Sequence, residues 1–209
     1  MIHYERRTTG PSGISVGTTD YVVKRQTAFN GHSGLVEIEI KTSITDAGQS
    51  PRTGVQYLYE RFSDSAIFRY GMVIPTVLGQ GIPDMLMTTV YEPAVEFKAV
   101  TLNVGESYVE EWHSTTMATG GPTGSVSPIK ESESDRITYL GQEVITVPAG
   151  TFTTCKIHRR STIADSEVFN WFAKGSGLSV RDLQRTEGKE WLHELLPGAT
   201  INGAPVHIE

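Results

Sequence analysis

Apolar and polar residues alternate with period two through much of the chain. In Leu35–Lys41, "LVEIEIK", the residues Val36, Ile38 and Ile40 point one way while Glu37, Glu39 and Lys41 point the other. That is the pattern of a half-buried strand. "DYVVKRQTAF" precedes it, and "FNGHSG" supplies the turn between the two. "GVQYLYERF" and "AIFRYGMVI" form a second pair joined across "SDS". These links are too short for parallel crossovers, which predicts a sequential antiparallel meander.

The stretch from Ile74 to Glu96 is less regular, because Gly79, Gly81 and Pro83 break any long element. Met85, Leu86 and Met87 read as core filler there. "TLNVGESYVEEWHSTTM" reads as a further strand pair. Ala118–Pro128, "ATGGPTGSVSP", reads as a long mobile hairpin loop inside one β domain spanning 1–209, since strand patterning continues on both sides. The final third carries dense strand signals, "DRITYLGQEVITV", "FTTCKIHRRSTIA", "SEVFNWFAKG", "GLSVRDLQRTEG" and "KEWLHELL". No segment keeps a helical period over three turns, so helices are expected to be short at most.

Composition agrees. The chain has 24 Thr, 18 Val and 15 Ile against 11 Leu and 11 Ala, and branching at Cβ suits a pleated sheet better than a helix. The expected fold is all-β, an antiparallel meander bent into a curved sheet or half-barrel. The net charge of −6 argues against nucleic acid as a partner, because counterion release needs a basic excess. "KIHRR", Lys156–Arg160, is read as a strand whose charges alternate between faces, not as an anion site. No run of about 18 apolar residues occurs, and the first residues contain no signal-type apolar region.

Val147–Phe152, "VPAGTF", interrupts what would otherwise be one long strand. Pro148 presets φ for a turn and Gly150 accepts positive φ after it, so the segment reads as a hairpin corner with a type I turn and a bulge. "GQEVITVPAGTFTTCKI" followed by "NWFAKGSGLSV" resembles a family of bacterial envelope proteins of unknown function, which pair such a hairpin with a downstream G-x-G-L strand. The resemblance implies an exported protein, periplasmic or associated with the outer membrane. It also implies a fold similar to the outer-membrane lipoprotein carriers.

Candidate chemistry is sparse. In "EEWH", Glu110 and Trp112 share one face of a strand and Glu111 and His113 the other. Glu111 and His113, joined by Asp135 or His158, are the best nucleus for a hydrolase-type site. A solvated face opposite a core tryptophan is the simpler reading. No histidine spacing suits a metal, the single cysteine, Cys155, is expected to face inward, and no cofactor motif is present. The remaining clue is aromatic. Tyr57, Tyr59, Phe68, Tyr70, Trp112 and Trp171 sit on predicted strands, where they either fill the concave side of a curved sheet as a core, the simpler reading, or line a site for a lipid or other apolar molecule. The reading favoured by the sequence is a non-enzymatic envelope protein of that kind. The alternatives are the enzyme above and a scaffold that binds another envelope protein.

Overall fold

The computed structural model describes residues 1–46, 48–77, 84–98, 101–122 and 124–206. Twelve strands follow one another in chain order, each paired antiparallel with the next. They are β1 (Ile2–Gly10), β2 (Gly13–Phe29), β3 (His32–Asp46), β4 (Arg52–Phe62), β5 (Ile67–Thr76) and β6 (Met85–Phe97). Then come β7 (Ser107–Gly120), β8 (Ile129–Val147), β9 (Gly150–Ser161), β10 (Ser166–Ala173), β11 (Ser179–Thr186) and β12 (Lys189–Leu195). The first and last of these also pair, Arg6 opposite Leu195 and Thr9 opposite Leu192. The meander therefore closes on itself as an up-and-down barrel, going beyond the half-barrel expected from the sequence. A short hairpin, β13 (Thr200–Ile201) with β14 (Ala204–Pro205), continues from the start of β1. No α-helix occurs among the described residues.

Residues directly opposite on neighbouring strands share a face, so the register sorts the wall into two sides. Ile38 and Ile40 lie opposite Leu58 and Gln56 and form an inner cluster with Tyr21 and Met72. Glu37 and Glu39 lie opposite Tyr59 and Tyr57 on the outer side. With Lys41, they place charges along the outward face of β3, where a strand facing lipid would carry apolar residues. A second inner cluster joins Ile137 and Ile157 with Phe97, Tyr108 and Phe172.

The turns expected at Asn30–Gly31 and across Ser63–Ser65 are present. "VPAGTF" is a hairpin corner in which Val147 pairs with Gly150. Gly150 has φ 134°, positive but well beyond the compact left-handed region. The corner is also a tertiary anchor. Val147 and Phe152 are buried with Trp171, Val180 and Leu195, and the Ala149 N–H donates to the Leu195 carbonyl at 3.1 Å. The strand pair expected over "TLNVGESYVEEWHSTTM" is a turn followed by one strand. Asn103 to Glu106 close a turn through Gly105 at φ 86°, and the Glu106 carboxylate accepts the Asn103 N–H at 2.7 Å. Local hydrogen bonding there prevails over β propensity. Of the glycine-rich 118–128 stretch, Ala118–Gly120 still belong to β7, paired with Met85–Met87, so the loop linking β7 to β8 is shorter than expected, while Gly79, Gly81 and Pro83 lie outside the described residues.

The closure seam carries an outer ion-pair group. Glu194 accepts from Arg7 at 2.6 Å and from Arg181 at 2.9 Å, tying β12 to both neighbours. Burial pushes the Glu194 carboxyl up, but the two guanidinium groups outweigh it and hold it below its ordinary value. Stability from this group is present above the unfolded carboxyl pKa of about 4.3 and is lost as pH falls through the folded value. Glu194→Gln should therefore lower the melting temperature at pH 7, with the difference from the native protein shrinking as pH falls below about 4. A thermal melting series against pH checks it. At Gly71 a Cβ would meet the Thr89 carbonyl oxygen at 2.3 Å and the Phe29 ring at 2.4 Å. The ring can shift but the paired backbone of β6 cannot, so Gly71→Ala is expected to destabilise by about 1–3 kcal/mol in denaturant titration.

Candidate functional site

Twelve strands enclose more space than side chains fill in an eight-stranded barrel. The lumen holds a cavity of about 500 Å³, lined from β1, β2, β4, β5, β6, β8, β9, β10 and β11. A second cavity of about 610 Å³ shares Ile67, Phe97, Ile157 and Phe172 with the first. Leu102, Tyr139, Gln142, Cys155 and residues of the turn after β10 add to its lining. The two differ in chemistry. The second is mainly apolar, whereas the first is crossed by ion pairs.

Three arginines reach the lumen cavity. Arg6 donates to Asp182 Oδ2 at 3.0 Å and to the Ser179 carbonyl at 3.2 Å. Asp182 Oδ1 also accepts from Asn170 Nδ2 at 2.8 Å and Ser179 Oγ at 2.7 Å. Arg69 places both Nε and Nη2 on Glu60 Oε1, at 2.8 and 2.7 Å. Arg159 donates through Nη2 to Glu110 Oε2 at 2.6 Å, and its Nε lies 3.1 Å from Asp135 Oδ2. Glu110 and Asp135 are directly opposite each other on β7 and β8, so one guanidinium serves two carboxyls. Glu110 Oε1 is buried without a hydrogen-bond partner among the described residues.

Burial raises the Glu110 and Asp135 carboxyls above their ordinary values despite the Arg159 charge. It likewise raises the Tyr4 and Tyr21 hydroxyls and pushes Tyr108 up to about 12. His193, bonded to Thr8 Oγ1 at 2.9 Å, is lowered by the same cause.

The aromatic set expected to line the concave side is placed mostly elsewhere. Tyr57 and Tyr59 face outward and donate to Glu39 and Glu37 at 3.3 and 3.4 Å. Phe68 lies between Ile67 and Arg69, which line the cavity, so it points away from it. Tyr70 packs against Arg61 and the His32 ring, whose centroid is 4.6 Å away. Trp171 is buried but turned from the lumen, donating its indole N–H to Glu143 with Lys156 and Arg181 over its ring. Trp112 alone of the six shares the inner face, with the Arg159 guanidinium 5.8 Å from its ring centre. Cys155 faces the apolar cavity, and the Tyr139 hydroxyl lies 3.7 Å from its sulfur.

The residues weighed for a hydrolase site do not converge. Glu111 is exposed, and His113 is exposed with Nδ1 2.8 Å from Ser132 Oγ. Asp135 is on the other side of the wall, and His158 pairs with Glu167 at 3.0 Å. No cluster of three metal-ligating side chains occurs among the described residues. Sequence reasoning missed the luminal arginines. The available signal was a Glu continuing an apolar face, Leu58 then Glu60, with Arg69 opposite Glu60 across the β4–β5 hairpin.

No family model and no curated protein matches the chain, so the likeness of the "VPAGTF" corner remains a resemblance. Among solved structures, a Bacteroides fragilis protein named "putative exported protein with YmcC-like fold" superposes with a TM-score of 0.48 at 12% identity. The match covers 96% of this chain and 95% of that one.

Because the Glu110 carboxyl is raised by burial, its contribution to stability is fully present below about pH 4.3 and is lost as pH rises through its folded value. Glu110→Gln stays neutral throughout. The melting temperature of this variant relative to the native protein should therefore climb with pH above about 4, the opposite slope to Glu194→Gln. Parallel slopes for the two variants would contradict the assignment of Glu110 to a desolvated lumen.

Proposed function

We propose that the protein is a non-enzymatic binding protein of the cell envelope that carries an amphipathic, lipid-like molecule inside the barrel. One observation carries this reading: an apolar cavity and a polar cavity adjoin within one closed wall and share Ile67, Phe97, Ile157 and Phe172. Both volumes, about 610 and 500 Å³, fall within the range of about 300–1,000 Å³ typical of small-molecule sites. An apolar chain would rest against Leu102, Tyr139 and Phe172, while a polar head would reach the luminal ion pairs. Burial of about 200 Å² of ligand chain contributes roughly 5 kcal/mol at 25 cal/mol per Å². The envelope setting rests on the resemblance of the hairpin corner. The separation of Glu111 and His113 from Asp135 and His158 counts against the enzyme alternative.

Native mass spectra before and after organic extraction test the reading, together with the alkylation rate of Cys155, the chain's single cysteine. The expected result is an extra mass that extraction removes, with faster alkylation of the emptied protein because Cys155 lines the apolar cavity. A chain that stays bare after incubation with lipid extract, with Cys155 alkylated at one rate throughout, sinks the carrier reading.

A further inference from the structure

The luminal ion pairs are not symmetric. In each, the arginine is the more accessible member, and around Arg159 both carboxylates are recessed behind it. The side chain of Arg6 is 27% exposed against 15% for Asp182, and that of Arg69 43% against 6% for Glu60. Arg159 is 35% exposed against 3% for Glu110 and 10% for Asp135. All three guanidinium groups line the same cavity, whereas Glu110 and Asp135 are absent from its lining. The carboxylates thus fix the orientation of the forks and leave donors toward the cavity. Nη1 of Arg69 and of Arg159 has no partner among the described residues. Tyr4, Tyr21 and Asn170 add neutral polar groups to the same lining.

A guanidinium held flat by a carboxylate on one edge presents its remaining N–H groups in a fixed plane, suited to carboxylate or phosphate oxygens. Of the four carboxylates only Glu60 and Asp182 line the cavity, and both are already paired with arginine. We infer that the polar end of the barrel is an anion-binding floor built on Arg6, Arg69 and Arg159, and that the carried amphiphile has an acidic head, a carboxylate or a phosphate. This inference rests on the carrier reading for the apolar part of the ligand, but the floor itself does not.

The test uses the full chain and three probes: the fluorescent fatty acid cis-parinaric acid, its methyl ester, and inorganic phosphate. The acid should bind about tenfold or more tightly than the ester, because the neutral ester offers a guanidinium no anionic oxygen pair. The double variant Glu60→Gln/Arg69→Gln removes an arginine without stranding its buried carboxylate. It should weaken acid binding by about tenfold and leave ester binding unchanged. Its fold is checked by circular dichroism. Should it not fold, Arg69→Lys gives the same readout, since it keeps the charge facing Glu60 but loses the fork. Equal affinity for acid and ester, or acid binding untouched by the Arg69 variants, overturns the acidic-head assignment and leaves the carrier reading standing. Phosphate binding that depends on Arg69, with neither chain probe bound, supports the floor and sinks the carrier reading. Binding of none of the three overturns both.

Discussion

Everything inside this protein depends on the pairing of β1 with β12. A meander of twelve strands left open would expose backbone N–H and C=O groups along two edges and would have a concave face, not a lumen. Closure supplies partners for both edges through Arg6–Leu195, Arg7–Glu194, Thr8–His193 and Thr9–Leu192. The seam is reinforced on both faces. Outside, Glu194 joins Arg7 and Arg181, while inside Thr8 meets His193 and Arg6 meets Asp182. The "VPAGTF" corner adds a contact at the same place, since Ala149 bonds to Leu195, the last residue of β12. The corner thus belongs to the architecture of closure and carries no group of the lumen's chemistry.

Closure also explains how charge is tolerated inside. A single-layer wall around a wide interior has no second layer to fill it, so inward side chains must either pack together or satisfy one another. Both solutions appear. Ile137 and Ile157 pack with Phe97 and Phe172, and beside them the carboxylates of Glu60, Glu110, Asp135 and Asp182 are each matched to an arginine. Such pairs add little net stability against an apolar equivalent, because desolvation offsets the Coulomb attraction. On the lumen side they place three arginines on the cavity wall. The recessed carboxylates orient guanidinium groups that would otherwise sample many rotamers.

Alternation, turn residues and β-branched composition reach only as far as neighbouring residues, and within that range the chain is explicit. Ile38 and Ile40 could be assigned to a buried face because the opposite positions were Glu37, Glu39 and Lys41. The turns at Asn30–Gly31, Ser63–Ser65 and Pro148–Ala149 follow from backbone preferences of a few residues. In β4 the same reasoning fails in an instructive way. Tyr57 and Tyr59 alternate with Leu58 and Glu60, and the aromatic pair looks like the inner one, yet the glutamate lies inside and the tyrosine hydroxyls donate to outward glutamates. Period two separates two faces without saying which is inward. Bulges at Tyr70 in β5 and at Leu140 in β8 then shift the parity along those strands.

The sequence by itself therefore determined the strands, most of their order of pairing and the corner at Val147–Gly150, since each is a matter of short-range sterics and hydrogen bonding. Only the tertiary structure decided that the sheet closes and that Arg6, 176 residues from Asp182, meets it inside. It alone turned Arg159 inward and Trp171 outward. Those outcomes depend on the accumulated curvature and stagger of twelve strands, a property of the whole sheet that no local window of residues contains.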